Sequence, residues 1–185
     1  MKLLMAFGQS TSVGKDVACL AISERLGAVR LKFSDEIKDV AYQLFGKYGL
    51  KRGPYYEEPG RRPLRQDPLP RVGKSPEDLW IEVGNHMREI YAPVWADQGM
   101  SRVMDDGRLY LFSDVRSSWE AQAVLEAGGL LVKIERPGQR VLKADTLIPD
   151  DWPGWHVKLV NDGTQEKLET LAVELAVSFL EKKGV

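Results

Sequence analysis

The amino-acid sequence predicts an α/β domain, doubly wound around a mainly parallel five-stranded sheet with helices on both faces. Two observations lead there. Apolar runs of strand length alternate with helical patterns along most of the chain. The first apolar run also passes through a glycine-containing turn directly into a helical pattern, the start of a βαβ arrangement. The 185 residues, 43% apolar and 29% charged, suffice for one domain spanning 1–185. A chain of this size buries about 70% of the surface its unfolded form exposes.

The strands are expected at Leu3 to Phe7, Ala28 to Phe33, Leu109 to Ser113, Leu130 to Glu135 and His156 to Val160. Helices between them follow from Val17, Leu20, Ala21 and Leu26, from Ile37, Val40, Ala41 and Leu44, and from Ala121, Val124 and Leu125, spaced by three and four except at Leu26. Ser75, Pro76 and Asp78 form a helix start, with Ser75 as N-cap, Pro76 at N1 and an acid at N3. That helix runs to Tyr91 and carries Gly84, Asn85 and Arg88; Trp80, Tyr91 and Trp95 at helical positions read as core or cleft wall. The last helix, from about Thr164 to Lys182, puts Leu168, Leu171, Ala172, Leu175 and Phe179 on one face.

Charge and cysteine usage narrow the function classes. With 26 Lys+Arg against 27 Asp+Glu, no global field draws the chain to nucleic acid or anionic lipid, so anion binding must come from local clusters. Cys19 has no second cysteine to pair with, which fits a reducing, cytoplasmic setting. The apolar opening Met1 to Phe7 is too short for a secretory segment, so neither a signal peptide nor a membrane span is expected. His86 and His156 are too few and too far apart to suggest zinc.

Two stretches break the alternation. Residues 47–74 hold five prolines and eight Lys or Arg against three acids, a composition that favours extended, solvated backbone. Residues 137–155 are rich in Pro and Asp. Long irregular segments in a compact domain read as lids or binding loops, here a basic acceptor-side insertion and a lid-like loop, or else as surface insertions.

The chemistry is concentrated after the first strand, where Gly8 opens a loop through Ser12 and Val13 to Gly14, Lys15 and Asp16. Small residues there let backbone N–H groups turn around phosphate oxygens, the helix start adds its positive end, and the Lys15 ammonium reaches toward the β and γ phosphates of a nucleotide. The spacing from Gly8 to Gly14 is one residue longer than the usual phosphate loop, and Asp16 stands where Ser or Thr would meet magnesium. In a parallel sheet the strand C-termini share one edge, so Gly8, Ser34, Asp114 and Arg136 should face one crevice. Lys15, Arg88, Arg116, Arg136 and Arg140 supply the positive charge that phosphoryl transfer requires. Asp114 reads as a magnesium or acceptor-orienting carboxylate, or as a cap for the helix starting near Ser117 or a partner of Arg116. Asp16 reads as metal-facing or as a first-turn acid offsetting the helix dipole.

Taken in order, Gly14-Lys15-Asp16, Phe33-Ser34-Asp35-Glu36-Ile37-Lys38, Lys74-Ser75-Pro76 with Gly84, Arg88 and Trp95, Asp114-Val115-Arg116 with Glu120, Gly128-Gly129, Arg136-Pro137-Gly138 and Asn161-Asp162-Gly163-Thr164 resemble the bacteriophage deoxynucleoside monophosphate kinases, a P-loop family. The pieces span most of the chain; 47–71 and 140–155 are poorly covered, and the second lacks the family's His-x-Ser-Glu segment. The resemblance implies a P-loop kinase fold, ATP as phosphoryl donor with Mg2+, and a deoxynucleoside monophosphate as acceptor. It implies ATP contacts from Gly8, Ser12, Val13, Gly14, Lys15, Asp16, Arg136 and Arg140, with Asp16 and Asp114 toward the metal. Ser34, Asp35, Lys38, Asn85, Arg88 and Arg116 would serve the acceptor, and Lys15, Arg116, Arg136 and Asp114 the chemical step. From the residues alone, Arg88 reads equally as a solvated surface arginine. The same features also suit a dephospho-CoA or phosphomevalonate kinase type, a nucleotide-binding module without turnover, or contact of Arg61, Arg62 and Arg65 with nucleic acid. A monomer or homodimer working in the cytoplasm, in a host cell if phage-encoded, completes the expectation.

Overall fold

The computed structural model describes residues 2–8, 13–138, 148–149 and 151–185. In chain order the elements are β1 (Leu3–Gly8), α1 (Lys15–Leu26), β2 (Val29–Leu31), α2 (Phe33–Phe45), α3 (Pro76–Ile90), α4 (Val94–Ser101), β3 (Leu109–Val115), α5 (Ser118–Glu126), β4 (Leu130–Glu135), β5 (Val157–Val160) and α6 (Gln165–Lys183). The chain divides into two compact units, one of Met1–Lys32 with Gly99–Val185, the other Phe33–Gln98.

The first unit holds the whole sheet. Its five strands pair in parallel in the order β2-β3-β1-β4-β5. Every residue of β1 and of β3 is buried, so neither strand alternates apolar with polar, as expected for central strands covered on both faces. Met5, Phe7, Leu111, Val132 and Ile134 pack with Ala18, Cys19 and Ile22 of α1 and Ala172, Ala176 and Phe179 of α6. Full burial of each large side chain contributes about 1.5–3 kcal/mol. On α5, Val124 presses against Gly129 so closely that a Cβ there would lie 2.9 Å from it and 3.0 Å from Leu4. Burial also pushes the Cys19 thiol up, reinforced by the negative charge of Asp16, so it is an inert core group.

The five expected strands are present, with shifted ends. β2 stops at Leu31, and Phe33, expected in the strand, is instead the buried first residue of α2, whose first turn carries Asp35 and Glu36. β3 continues two residues past Ser113, because Asp114 and Val115 are buried with the rest of the strand. Between Ala6 and Gly8 the β1–β3 register shifts: Ala6 faces Phe112 and Gly8 faces Val115, leaving an extra residue in β3. Such a bulge re-aims side chains at a sheet rim. His156, expected in β5, lies just before it; its backbone N–H donates to the Leu131 carbonyl and its Nδ1 accepts the Leu131 N–H, both at 3.0 Å.

In the second unit, Ser75 caps α3 with a reciprocal capping box to Asp78, as its sequence predicts. Most of the proline-rich stretch is exposed, as its composition suggests, but its backbone is not extended throughout. It forms three short 3-10 turns at Gly46–Tyr48, Gly53–Glu57 and Arg62–Arg65, the last two started by Pro54 and Pro63, whose fixed φ suits a first helical position. Leu50 and Tyr56 from this stretch are buried with Ala41 of α2 and Leu79 of α3, with Phe45, Tyr55, Leu69, Val72 and Trp80 against them. Gly84 has a packing reason as well. A Cβ there would lie 3.3 Å from Ile37 of α2, and the Gly84 carbonyl accepts the Trp95 indole N–H at 3.0 Å.

Candidate active site

Because all five strands run the same way, the residues just beyond their C-terminal ends collect along one edge of the sheet. Those residues are Lys32 after β2, Arg116 after β3, the loop after Gly8 on β1, Arg136 after β4 and Asn161 after β5. Three cations thus share one rim with Gly8 and Gly14, the two ends of the glycine loop. No base-bearing constellation of His, Cys or Ser is needed to describe it.

The loop ends on Gly14, the N-cap of α1, held at φ +106°, a conformation that L side chains rarely adopt. A Cβ at Gly14 would also lie 2.4 Å from Leu168 of α6. Lys15 opens the helix and is 8% exposed, so its stem is fixed in the protein. The Asn161 side-chain amide donates to the Val13 carbonyl at 2.9 Å, and the Asn161 backbone N–H donates to the Glu135 carbonyl at 2.7 Å. Gly8 lies beneath the Trp155 ring, where a Cβ would come within 2.1 Å of it. Trp155 meets Trp152 edge to face at 5.6 Å, and its indole N–H is buried with no partner among the described residues.

Asp16, next to Lys15, meets two partners on the same oxygen. The Ser113 hydroxyl, at the β3 bulge, donates to Oδ1 at 2.8 Å, and the Lys32 ammonium stands 3.2 Å from it. Burial would raise the Asp16 pKa; the Lys32 charge and then the Ser113 hydrogen bond outweigh it, holding the carboxyl below its usual 3.8. The side chain is 66% exposed, so solvent screens much of this interaction.

Asp114 is 8% exposed within β3. Its reading as the cap of the following helix does not hold. Ser117 caps α5, accepting from the Glu120 N–H, while the Glu120 carboxylate accepts from the Arg116 and Ser117 N–H groups at 2.7 and 3.0 Å. The Arg116 backbone is pinned by that box while its side chain is exposed, and Arg136 is exposed too. Beside Arg136, Glu135 takes the Lys133 ammonium at 2.8 Å and pairs with Lys158, and these two hydrogen bonds lower its pKa. Ser12 and Arg140 lie outside the described residues.

The acceptor-side residues read from the sequence belong to the second unit. Ser34 and Asp35 are in the first turn of α2, and Lys38 is one turn further on. The Lys38 ammonium donates to Glu57 at 3.2 Å and lies 5.5 Å from the centre of the Trp80 ring, which Tyr56 meets edge to face at 5.4 Å. Arg65 pairs with the same Glu57 carboxylate. On α3, the Arg88 guanidinium donates to the Asn85 carbonyl oxygen at 3.4 Å.

Asp16 is the carboxylate at this rim that fits a magnesium ion. Among the described residues no group of three or more His, Cys, Asp or Glu could hold a metal. Asp16 offers an ionised, solvent-reachable carboxylate, and Mg2+ on a nucleotide needs only one or two such oxygens, with phosphates and water supplying the rest.

Lys32 and Ser113 lie at this candidate site without having been singled out in the sequence, and Asn161, quoted there only within the Asn161-Asp162-Gly163-Thr164 segment, was given no role. Ser113 had one signal, a hydroxyl inside an otherwise apolar strand. Lys32 could be found only by knowing where β2 ends.

No protein-family model matches the chain, and no curated protein matches it. Among solved structures, it is similar to a gluconokinase from Sinorhizobium meliloti 1021, at 11% identity over 98% of this chain and 94% of that one, with a TM-score of 0.50. A dephospho-CoA kinase from Campylobacter jejuni is 13% identical over the whole of both chains, with a TM-score of 0.48. A shikimate kinase from Aquifex aeolicus vf5 is 12% identical over 95% of this chain and 96% of that one, with a TM-score of 0.44. The parallel sheet in the order β2-β3-β1-β4-β5, the helix-capping glycine followed by a buried lysine, and the likeness to the gluconokinase over nearly all of both chains give this chain the α/β P-loop kinase fold.

Proposed function

We propose that the chain transfers the γ-phosphoryl group of ATP to a small anionic acceptor, and that the acceptor is a deoxynucleoside 5′-monophosphate, giving the diphosphate. One observation carries the phosphotransferase reading: Lys15 stands buried at the start of a helix capped by a glycine at positive φ, on the sheet edge where Lys32, Arg116 and Arg136 also emerge. Phosphoryl transfer asks a protein to position two anions and to spread positive charge over the group in flight. Backbone N–H groups at Val13, Gly14 and the start of α1 cradle the donor phosphates, and Lys15 reaches the β and γ oxygens. Arg136 and Arg140 neutralise charge on the donor side, and Ser12 is assigned to ATP binding. Magnesium bound to the nucleotide would be held by Asp16 or Asp114 and would offset the negative charge that develops on the departing ADP. The acceptor phosphate is already an anionic nucleophile at neutral pH, so no side-chain base is required.

The choice of acceptor rests on the resemblance, which assigns its phosphate to Arg88 and Arg116 and its nucleoside to Ser34, Asp35, Lys38 and Asn85. A panel decides it. The protein is incubated with ATP, magnesium and each ribo- and deoxynucleoside monophosphate in turn, with gluconate, shikimate and dephospho-CoA alongside, and ADP formation is followed. Activity confined to one or more deoxynucleoside monophosphates is the expected result. Activity with one of the other acceptors alone would keep the phosphotransferase and replace the acceptor. In the expected case, Arg88→Ala should raise KM for the monophosphate far more than KM for ATP.

A further inference from the structure

In the usual phosphate loop, the residue after the lysine is a Ser or Thr whose hydroxyl meets the metal, and the supporting carboxylate comes from a neighbouring strand. Here a carboxylate takes the place of that hydroxyl, and β3 brings a hydroxyl to it beside the strand's own carboxylate, Asp114. The carboxylate, Asp16, follows Lys15 on α1, and the hydroxyl, Ser113, comes from β3, bonded to Asp16 Oδ1 at 2.8 Å. The β3 bulge between Phe112 and Val115 lies at this contact. Lys32, the first residue beyond β2, brings its ammonium to 3.2 Å from the same oxygen, and the Asp16 side chain remains 66% exposed.

Building on the phosphotransferase reading, we infer that Asp16 and Ser113 form a carboxylate–hydroxyl pair at the metal–nucleotide site. In this pair Asp16 faces the divalent ion, Ser113 is the positioning residue that orients it, and Lys32 is a resident counter-cation with which the ion competes. The two partners of Oδ1 therefore have opposite effects. The Ser113 hydroxyl fixes the carboxylate without cancelling its charge, so it favours metal. The Lys32 ammonium supplies a charge of the same sign as the metal, and its presence disfavours metal. An anchored lysine also keeps Asp16 paired in the nucleotide-free protein, where an ionised carboxylate beside the loop would otherwise repel incoming phosphates.

The test is manganese binding to the protein–ADP complex, followed by electron paramagnetic resonance, with metal-free ADP affinity measured separately by calorimetry. Ser113→Ala should weaken manganese affinity by about tenfold, the lower range for losing a group that orients a metal ligand. Ser113→Thr should restore it. Lys32→Met should tighten manganese affinity by about two- to fivefold, the scale of an exposed ion pair. Asp16→Asn should lose most of the protein's contribution. Metal-free ADP affinity should change little in Ser113→Ala. Unchanged manganese affinity in folded Ser113→Ala and Lys32→Met, or a change of the same sign in both, would overturn the pairing. A wild-type protein that binds neither ADP nor manganese–ADP would overturn the phosphotransferase reading together with it, which separates the two failures.

Discussion

Asn161, on the turn after the last strand, donates its side-chain amide to the carbonyl of Val13, 148 positions earlier, at 2.9 Å. That single bond ties the β5–α6 turn to the end of the glycine loop, and the Asn161 backbone N–H on the Glu135 carbonyl anchors it to β4. Asn161→Ala should cost about 1 kcal/mol of stability, the worth of one such bond. It should also reduce the thermal stabilisation given by ADP, because the loop would be less well ordered before binding. Asn161→Asp should be worse, since its carboxylate cannot donate to a carbonyl. Thermal unfolding with and without ADP checks both; equal ADP stabilisation in all three proteins would detach the turn from the loop's function.

Gly14→Ala is expected to destabilise the protein by about 1–3 kcal/mol through backbone strain alone, because φ +106° is unfavourable for any residue with a Cβ. Leu168 must also move, its Cδ2 lying 2.4 Å from the new carbon. Urea unfolding measures the loss. A neutral substitution would mean that the loop closes onto α1 differently.

Much of this fold was legible because the hydrophobic patterns are unambiguous where elements are long or strongly capped. The Ser75–Asp78 box and the six buried residues of β1 are examples. Chain ends of strands were less so. Asp114 reads as lying after a strand, but burial of Ser113 through Val115 carries β3 past it. In 47–74, mostly exposed as its prolines and arginines suggest, the illegible part was its anchoring: 3-10 turns follow neither the two-residue nor the 3.6-residue period, so the burial of Tyr56 left no periodic mark, and Leu50 is buried from an irregular segment. The Asp16–Ser113–Lys32 contact was illegible because its members are up to 97 positions apart and two of them gain meaning only from the strand they end or interrupt.

Leu50 offers a direct check on that stretch. It is 1% exposed among Ala41, Tyr56 and Leu79, so Leu50→Ala should cost about 2–5 kcal/mol. The same replacement at Leu64, 37% exposed, should cost well under half of that. Denaturant unfolding of the two variants distinguishes an anchored position from a solvated one; equal, small losses would mean that Leu50 does not anchor the stretch.

Glu135 should give the protein part of its acid sensitivity. Hydrogen bonds from Lys133 and then Lys158 hold its folded pKa below the ordinary 4.5, so the unfolded chain binds this proton more readily. The stability it provides is therefore complete above about pH 4.5 and is lost as pH falls through the lower folded value. Melting temperatures taken from about pH 3 to about pH 7 should drop less steeply on the acid side for Glu135→Gln than for the wild type. Parallel curves would place the acid sensitivity elsewhere.

Lys15 bears on the function most directly, since it is the group expected to touch the transferring phosphoryl. The measurement is steady-state ADP formation from ATP and magnesium with the preferred monophosphate, for the wild type and for Lys15→Ala, with folding verified by circular dichroism. Turnover lower by about a hundredfold or more in a folded Lys15→Ala is the expected result. Wild-type turnover in that folded variant, or no acceptor-dependent ADP formation by the wild type, would contradict a phosphotransferase built on this loop.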